Sequence, residues 1–81
     1  MPPTDLRALV EYLTRGLVDD PAAVSVRATE RDRLVFIEIR VAAGDVGKVI
    51  GRRGRIIGAI RVVARAAAVR AGWRVVVEIV Q

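Results

Sequence analysis

Gly51, Arg52, Arg53 and Gly54 stand near the centre of an 81-residue chain, a four-residue link between two segments of helical spacing. Glycine has no Cβ, so it takes backbone angles closed to other residues and lets an extended ligand lie against the main chain. The link leads into the N-terminus of a long helix, whose first N–H groups lack intrahelical partners. That end carries a partial positive charge and suits a phosphate. Arg52, Arg53 and Arg55 add full charges, and Lys48 lies one turn upstream. Backbone donors, a helix dipole and cations converge on one spot. Such a constellation can grip a polyanion backbone, but it has no group that breaks bonds.

The rest of the composition agrees. The chain has no cysteine and no histidine, so thiolate metal sites, disulfides and the commonest general base are all absent. No carboxylate pair adjoins the basic segment. The spacing is neither G-x-x-x-x-G-K-[ST] nor G-x-G-x-x-G, since Val49 follows Lys48 and the glycines fall at Gly47, Gly51 and Gly54. An enzyme is not expected, nor a cofactor or metal. Charge is unevenly spread. Residues 1–45 carry six cations and eight acids, a net of −2, whereas residues 46–81 carry eight cations and one acid, a net of +7. A basic half on a small chain is the footprint of a polyanion binder. The N-terminus is unlike a signal peptide, and no apolar run approaches the roughly 20 residues of a membrane helix. A cytoplasmic protein without a membrane partner is expected.

Hydrophobic residues make up 53% of the chain, enough for one modest core. Thr4 or Asp5 is placed to cap a first helix, with Pro2 and Pro3 outside it, and Leu6, Leu9, Val10, Leu13 and Leu17 define its apolar face. Asp19-Asp20-Pro21 ends that segment. Val24, Val26 and Ala28 alternate with polar residues as a half-exposed strand, Arg31 and Asp32 fit a hairpin turn, and Leu34 to Val41 is a stronger strand with Val35, Ile37, Ile39 and Val41 inward. Phe36 falls on its other face. A short helix runs from Gly44 or Asp45 to Ile50, with Asp45 in the first turn, where a negative charge is favourable. Arg55 to Ala71 is a long helix with Ile56, Ile60, Val63, Ala64, Ala67 and Ala71 inward, stopped by Gly72. Trp73 to Val80 is the last strand. The expected fold is α+β, in the order α-β-β-α-α-β, with a three-stranded mixed sheet covered on one face by three helices.

In this setting V-I-G-R-R-G-R-I-I, Val49 to Ile57, resembles the GXXG signature of KH domains, with the strand before it, a helix on each side and the strand after. The minimal unit is Leu34 to Val80. The helix and strand over residues 4–30 give the bacterial, type II arrangement, so the resemblance covers nearly all of residues 1–81 as a single KH domain. The stretch "DVGKVIGRRGRIIGAIR" is similar to that of the small bacterial single-KH RNA-binding proteins of the KhpA type. The resemblance implies a GXXG loop that clamps about four nucleotides of backbone. Gly51, Arg52, Arg53 and Gly54 would then face phosphates, and Lys48 and Arg55 would neutralise charge. Val46, Val49, Ile50 and Ile57 are candidate walls of an apolar base groove, although all four also suit ordinary core packing, Ile57 most of all. Tyr12, Phe36 and Trp73 lie outside the motif, which argues against an aromatic platform. The short connection at Gly72 leaves one side of the groove shallow. The implied ligand is single-stranded RNA, with single-stranded DNA as the other polymer that the residues admit. The implied role is RNA chaperone or post-transcriptional regulator.

Ala59, Val62, Ala66 and Val69, with Val63 at the border, form a second apolar stripe on the long helix. β-Branched residues gain little on an exposed helix. Together with the pairing implied by the resemblance, the stripe suggests a dimer interface, either homodimeric or with a larger KH-containing partner. The alternative function is a protein-interaction module of a ribonucleoprotein or ribosome-associated complex, with the basic loop on an acidic partner.

Overall fold

The computed structural model describes residues 3–80, with side chains from residue 5. Helix α1 spans Pro3–Arg15, strands β1 and β2 span Ser25–Arg31 and Leu34–Arg40, α2 spans Val46–Ile50, α3 spans Arg55–Arg70 and β3 spans Arg74–Ile79. Single turns of 3-10 helix precede β1, α2 and α3. The sheet order is β1-β2-β3, antiparallel between β1 and β2 and parallel between β2 and β3. Helix α1 lies over β1 and β2, α3 lies over β3, and α2 packs against α3. This is the expected α+β architecture, with its three helices on one face.

Alternation drives the sheet. Val26 faces inward from β1, Val35, Ile37 and Ile39 from β2, and Val77 from β3, and all five are buried. They meet Leu6 and Val10 of α1, Val49 of α2, and Ile57, Ile60, Ala64 and Ala68 of α3. Thr14 is also fully buried, which its type hides. Its hydroxyl donates to the Val10 carbonyl at 2.8 Å and so enters the core satisfied.

Several local expectations shift. Pro3 lies inside α1, at a first-turn position where a missing N–H costs nothing, so Thr4 and Asp5 are first-turn residues and not the cap. Pro2 lies outside the described residues. The hairpin loop is Asp32-Arg33, one residue later than expected, and both residues have positive φ, 51° and 65°. That pair of angles matches the right-handed twist of the strands it joins. The inward face of α3 is rotated. Ile57 and Ala68 are buried, Ile56 and Ala67 are half-buried, and Val63 is exposed. The small Ala64 and Ala68 let the helix axis approach the sheet, while α1 packs beside its Ile56 side. Gly72 stops α3 as expected. With φ 80°, it turns the chain so that the Gly72 and Trp73 N–H groups donate to Val69 and Ala68 carbonyls.

Candidate nucleic-acid interface

Helix α2 ends at Gly51, whose N–H donates to the Gly47 carbonyl at 2.9 Å. Its φ of 76° and ψ of 171° belong to a region that is essentially glycine-only. A Cβ there would sit 2.6 Å from Ile56 Cγ1 and 2.9 Å from Ile56 Cβ. Residues Arg52–Gly54 form a tight turn, closed by Gly54 N–H to the Gly51 carbonyl at 3.1 Å and Arg55 N–H to the Arg52 carbonyl. Arg53 and Gly54 are both left-handed, with φ 59° and 72°. Arginine in this conformation costs roughly 1–2 kcal/mol, so the surrounding turn holds the Arg53 side chain outward against its own preference. Gly54 has room: the nearest atom to its missing Cβ is Ile57 Cγ2, 4.0 Å away. The Arg52 carbonyl holds the Arg55 N–H, and no side-chain hydrogen bond from Gly54 caps the rest of the first turn of α3.

Arg52, Arg53 and Arg55 are exposed, and among the described residues none forms an ion pair. Lys48 differs from them. Its Nζ lies 3.1 Å from Asp19 Oδ2 and 3.5 Å from Asp45 Oδ1. Asp19 first, then Asp45, holds the ammonium above its usual pKa range. Much of this charge is therefore answered inside the molecule.

Asp45 stands at the N-cap of α2, close to its expected first-turn place, and it is not left to solvent. It is buried, and its two carboxylate oxygens accept from the Asp19 and Asp20 N–H groups at 3.2 and 3.0 Å. Burial alone would push its pKa up, but these N–H groups and Lys48 outweigh burial and hold it below the ordinary aspartate range. Asp45 thus ties the start of α2 to the segment after α1 and fixes the approach to Gly51. An acid just before a short helix, with Asp19-Asp20-Pro21 far upstream, gives no local sign of this pairing.

The proposed groove residues divide. Val46 and Ile50 are half-buried, whereas Val49 is fully buried and Ile57 nearly so. These last two anchor the loop to the core and offer little surface. Beyond Ile57, a cleft of about 240 Å³ runs between α3 and the free edge of β3, lined by Arg61, Arg65 and residues Val75 to Glu78. Arg61 Nε donates to the Val77 carbonyl at 3.0 Å, and its guanidinium lies 3.6 Å from Glu78. Neither arginine stands out by type. Their signal was the four-residue spacing, which puts both on one helix face.

The second stripe is exposed along its length. Val62, Val63 and Val69 keep 63%, 44% and 69% of their surface, and Ala59 and Ala66 are also exposed. Beside it, Leu13, Leu17, Ile56, Ala59, Ile60 and Val63 line an apolar groove of about 210 Å³ between α1 and α3. Among the described residues no helix is long and apolar enough to cross a membrane.

The model of the KhpA/KhpB KH domain matches residues 7–79. The chain is 45% identical over 75 residues to RNA-binding protein KhpA of Clostridium acetobutylicum, covering 93% of this chain and all of that one. It is 41% identical over 76 residues to RNA-binding protein KhpA of Aquifex aeolicus, covering 94% and 96%. Among solved structures, Aquifex aeolicus Era bound to GDP·AlF4− superposes with a TM-score of 0.65 at 22% identity, covering 98% of this chain and 31% of that longer one, a likeness of fold alone. A family match over residues 7–79, together with near-full-length relatives, means that this chain belongs to the KhpA/KhpB KH-domain family, a non-enzymatic class.

Proposed function

We propose that this protein binds single-stranded RNA without catalysis, holding the backbone in the Gly51–Gly54 loop of a type II KH domain. The loop conformation carries this reading: two glycines in left-handed or glycine-only geometry present Arg52 and Arg53, unpaired, beside the N-terminus of α3. Arg55 adds charge, and Ile50 and Val46 supply an apolar border. Lys48 contributes less than its neighbours, because Asp19 and Asp45 already hold it. Arg65 extends the positive wall toward β3, whereas Arg61 is partly held by the Val77 carbonyl and Glu78. The relatives' names as RNA-binding proteins support RNA over single-stranded DNA as the ligand. A role in the cytoplasm as an RNA chaperone or post-transcriptional regulator fits a site that grips backbone and reads few bases.

Salt dependence tests this reading. Each phosphate neutralised on a single strand contributes about −0.7 to the slope of log K against log salt. Arg52→Ala and Arg53→Ala are each expected to flatten the slope by about that amount with an oligouridine, and Lys48→Ala by less. Equal slopes in wild type and both arginine variants would remove the loop from the interface.

We also propose that the protein pairs through Ala59, Val62, Val63, Ala66 and Val69, with itself or with a larger KH-containing partner. The exposure of three valines, with Val63 and Ala59 lining the apolar groove, supports this, since contiguous exposed apolar surface marks interaction sites. Two linked loops would raise avidity for one RNA. Sedimentation should show a dimer that Val63→Asp dissociates. A wild-type monomer at high micromolar concentration would rule out the homodimer.

A further inference from the structure

Among the described residues, none of the helices covers the second face of the sheet. Register places its side chains in rows across the strands. Arg31, Leu34 and Arg74 form the row at the hairpin end, followed by Thr29, Phe36 and Val76, then Arg27, Glu38 and Glu78, then Ser25 and Arg40. Phe36 is at the middle of the central strand and keeps 37% of its surface exposed. Arg27, Arg31 and Arg74 lie in the rows next to it and Arg40 one row further, against two glutamates, and the Glu78 carboxylate is drawn to Arg61 at the sheet edge. Ser25, Arg27, Glu38 and Arg40 line a polar recess of about 80 Å³.

This recess lies toward the loop. Helix α3 runs from the loop to Gly72, about 24 Å at 1.5 Å per residue, and β3 then starts beside Leu34 at the hairpin end. The loop is therefore at the opposite end, that of Arg40 and Ile79. A strand leaving the loop can cross the β3 edge by way of Arg61 and Arg65 and reach the open face within the 35 × 24 × 18 Å body.

We propose that this open face is a second contact surface for single-stranded RNA, with Phe36 stacking a base and Arg27, Arg40, Arg31 and Arg74 meeting phosphates. An exposed aromatic ring offers every base a π-face to stack on. Planar guanidinium forks match phosphate oxygens in pairs. An acidic protein partner would meet the same arginines, but the face's position at the loop end favours the polymer that the loop is proposed to hold. The proposal rests on the RNA reading above and lengthens its footprint from about four nucleotides to roughly eight or more.

The test measures binding of the full chain to oligouridines of about 4 and 12 nucleotides. The variants are Phe36→Leu, which keeps an apolar strand residue without the ring, and Arg27→Gln with Arg40→Gln, each checked for an unchanged melting temperature. The 12-mer should bind about tenfold more weakly to each variant, while the 4-mer binds as it does to wild type. Unchanged 12-mer binding in both overturns the proposal. So does displacement of the 12-mer by polyglutamate with no effect of Phe36→Leu, which would mark an acidic-protein surface. If wild type binds neither oligomer, both readings fail. If Gly54→Asp leaves 12-mer binding intact while Phe36→Leu weakens it, the loop reading fails and the sheet surface stands.

Discussion

Replacing Gly54 with aspartate is expected to weaken RNA binding by at least about tenfold, or 1.4 kcal/mol, while the fold persists. The backbone argument comes first. Gly54 sits at φ 72° and ψ 17°, the left-handed region that aspartate and asparagine enter more readily than other non-glycine residues. A Cβ at this position meets nothing closer than 4.0 Å. The structural cost should be about 1 kcal/mol, a minor share of the stability of a chain this size. The electrostatic argument follows. A carboxylate at the mouth of α3 would occupy the place where a phosphate is proposed to sit, and it would offset one of Arg52, Arg53 and Arg55. Gly54→Asn separates the two arguments, because it adds the same bulk in the same conformation without charge. Its loss should be smaller than that of Gly54→Asp. Fluorescence anisotropy with a short oligouridine, alongside thermal melts, reads both quantities. If the aspartate variant melted normally and bound like wild type, the loop would not be the RNA site.

What could be read in advance follows from how local each cause is. The strand Leu34 to Val41 announces itself because alternation of Val35, Ile37 and Ile39 is a property of neighbouring residues. Gly72 is legible for the same reason: the helix stop needs only one left-handed residue. The glycines of the loop were visible as punctuation, and their surroundings set them apart from an ordinary turn. The rotation of α3 was not visible, since Ile56 and Ile57 are equally apolar and the packing of α3 against β3, α1 and α2 together decides which is buried. The burial of Asp45 was not visible for a related reason. Its partners are main-chain N–H groups of Asp19 and Asp20, which no side-chain pattern reports. That pairing also lowers the standing of Lys48, which sequence counts as a free cation equal to Arg52. Arg33 shows the opposite case. A left-handed arginine in a two-residue hairpin is a poor local choice, but its guanidinium lies 5.4 Å from the Trp73 ring and its carbonyl accepts from Arg74 N–H at 2.9 Å. The tertiary contacts offset the local strain.

Gly51 and Gly54 look alike in the motif, yet Gly51→Ala should act on stability where Gly54→Asp acts on binding. At φ 76° and ψ 171°, alanine has no low-energy conformation that keeps the chain path, and a strained residue of this kind costs about 1–3 kcal/mol. The added methyl would also lie 2.6–2.9 Å from the Cγ1, Cβ and Cδ1 atoms of Ile56. Ile56 cannot swing clear by a rotamer change alone, because its Cβ is among the atoms struck. Moving it shifts the first turn of α3 and, with it, the adjoining Ile57, which is buried in the core. Overpacking of this kind costs about 1–3 kcal/mol more. The two effects together predict a loss of about 4 kcal/mol, which for a chain of 81 residues lowers the melting temperature by roughly 16–32 °C. Truncating Ile56 to alanine in the same chain removes Cγ1 and Cδ1 but leaves Cβ, so it should restore part of the loss and not all of it. The measurement is a thermal melt of wild type, Gly51→Ala, Ile56→Ala and the double variant. The coupling between the two sites should be favourable in the double variant. Strictly additive losses would mean that the positive φ alone makes glycine necessary at Gly51 and that Ile56 has no part in shaping the loop.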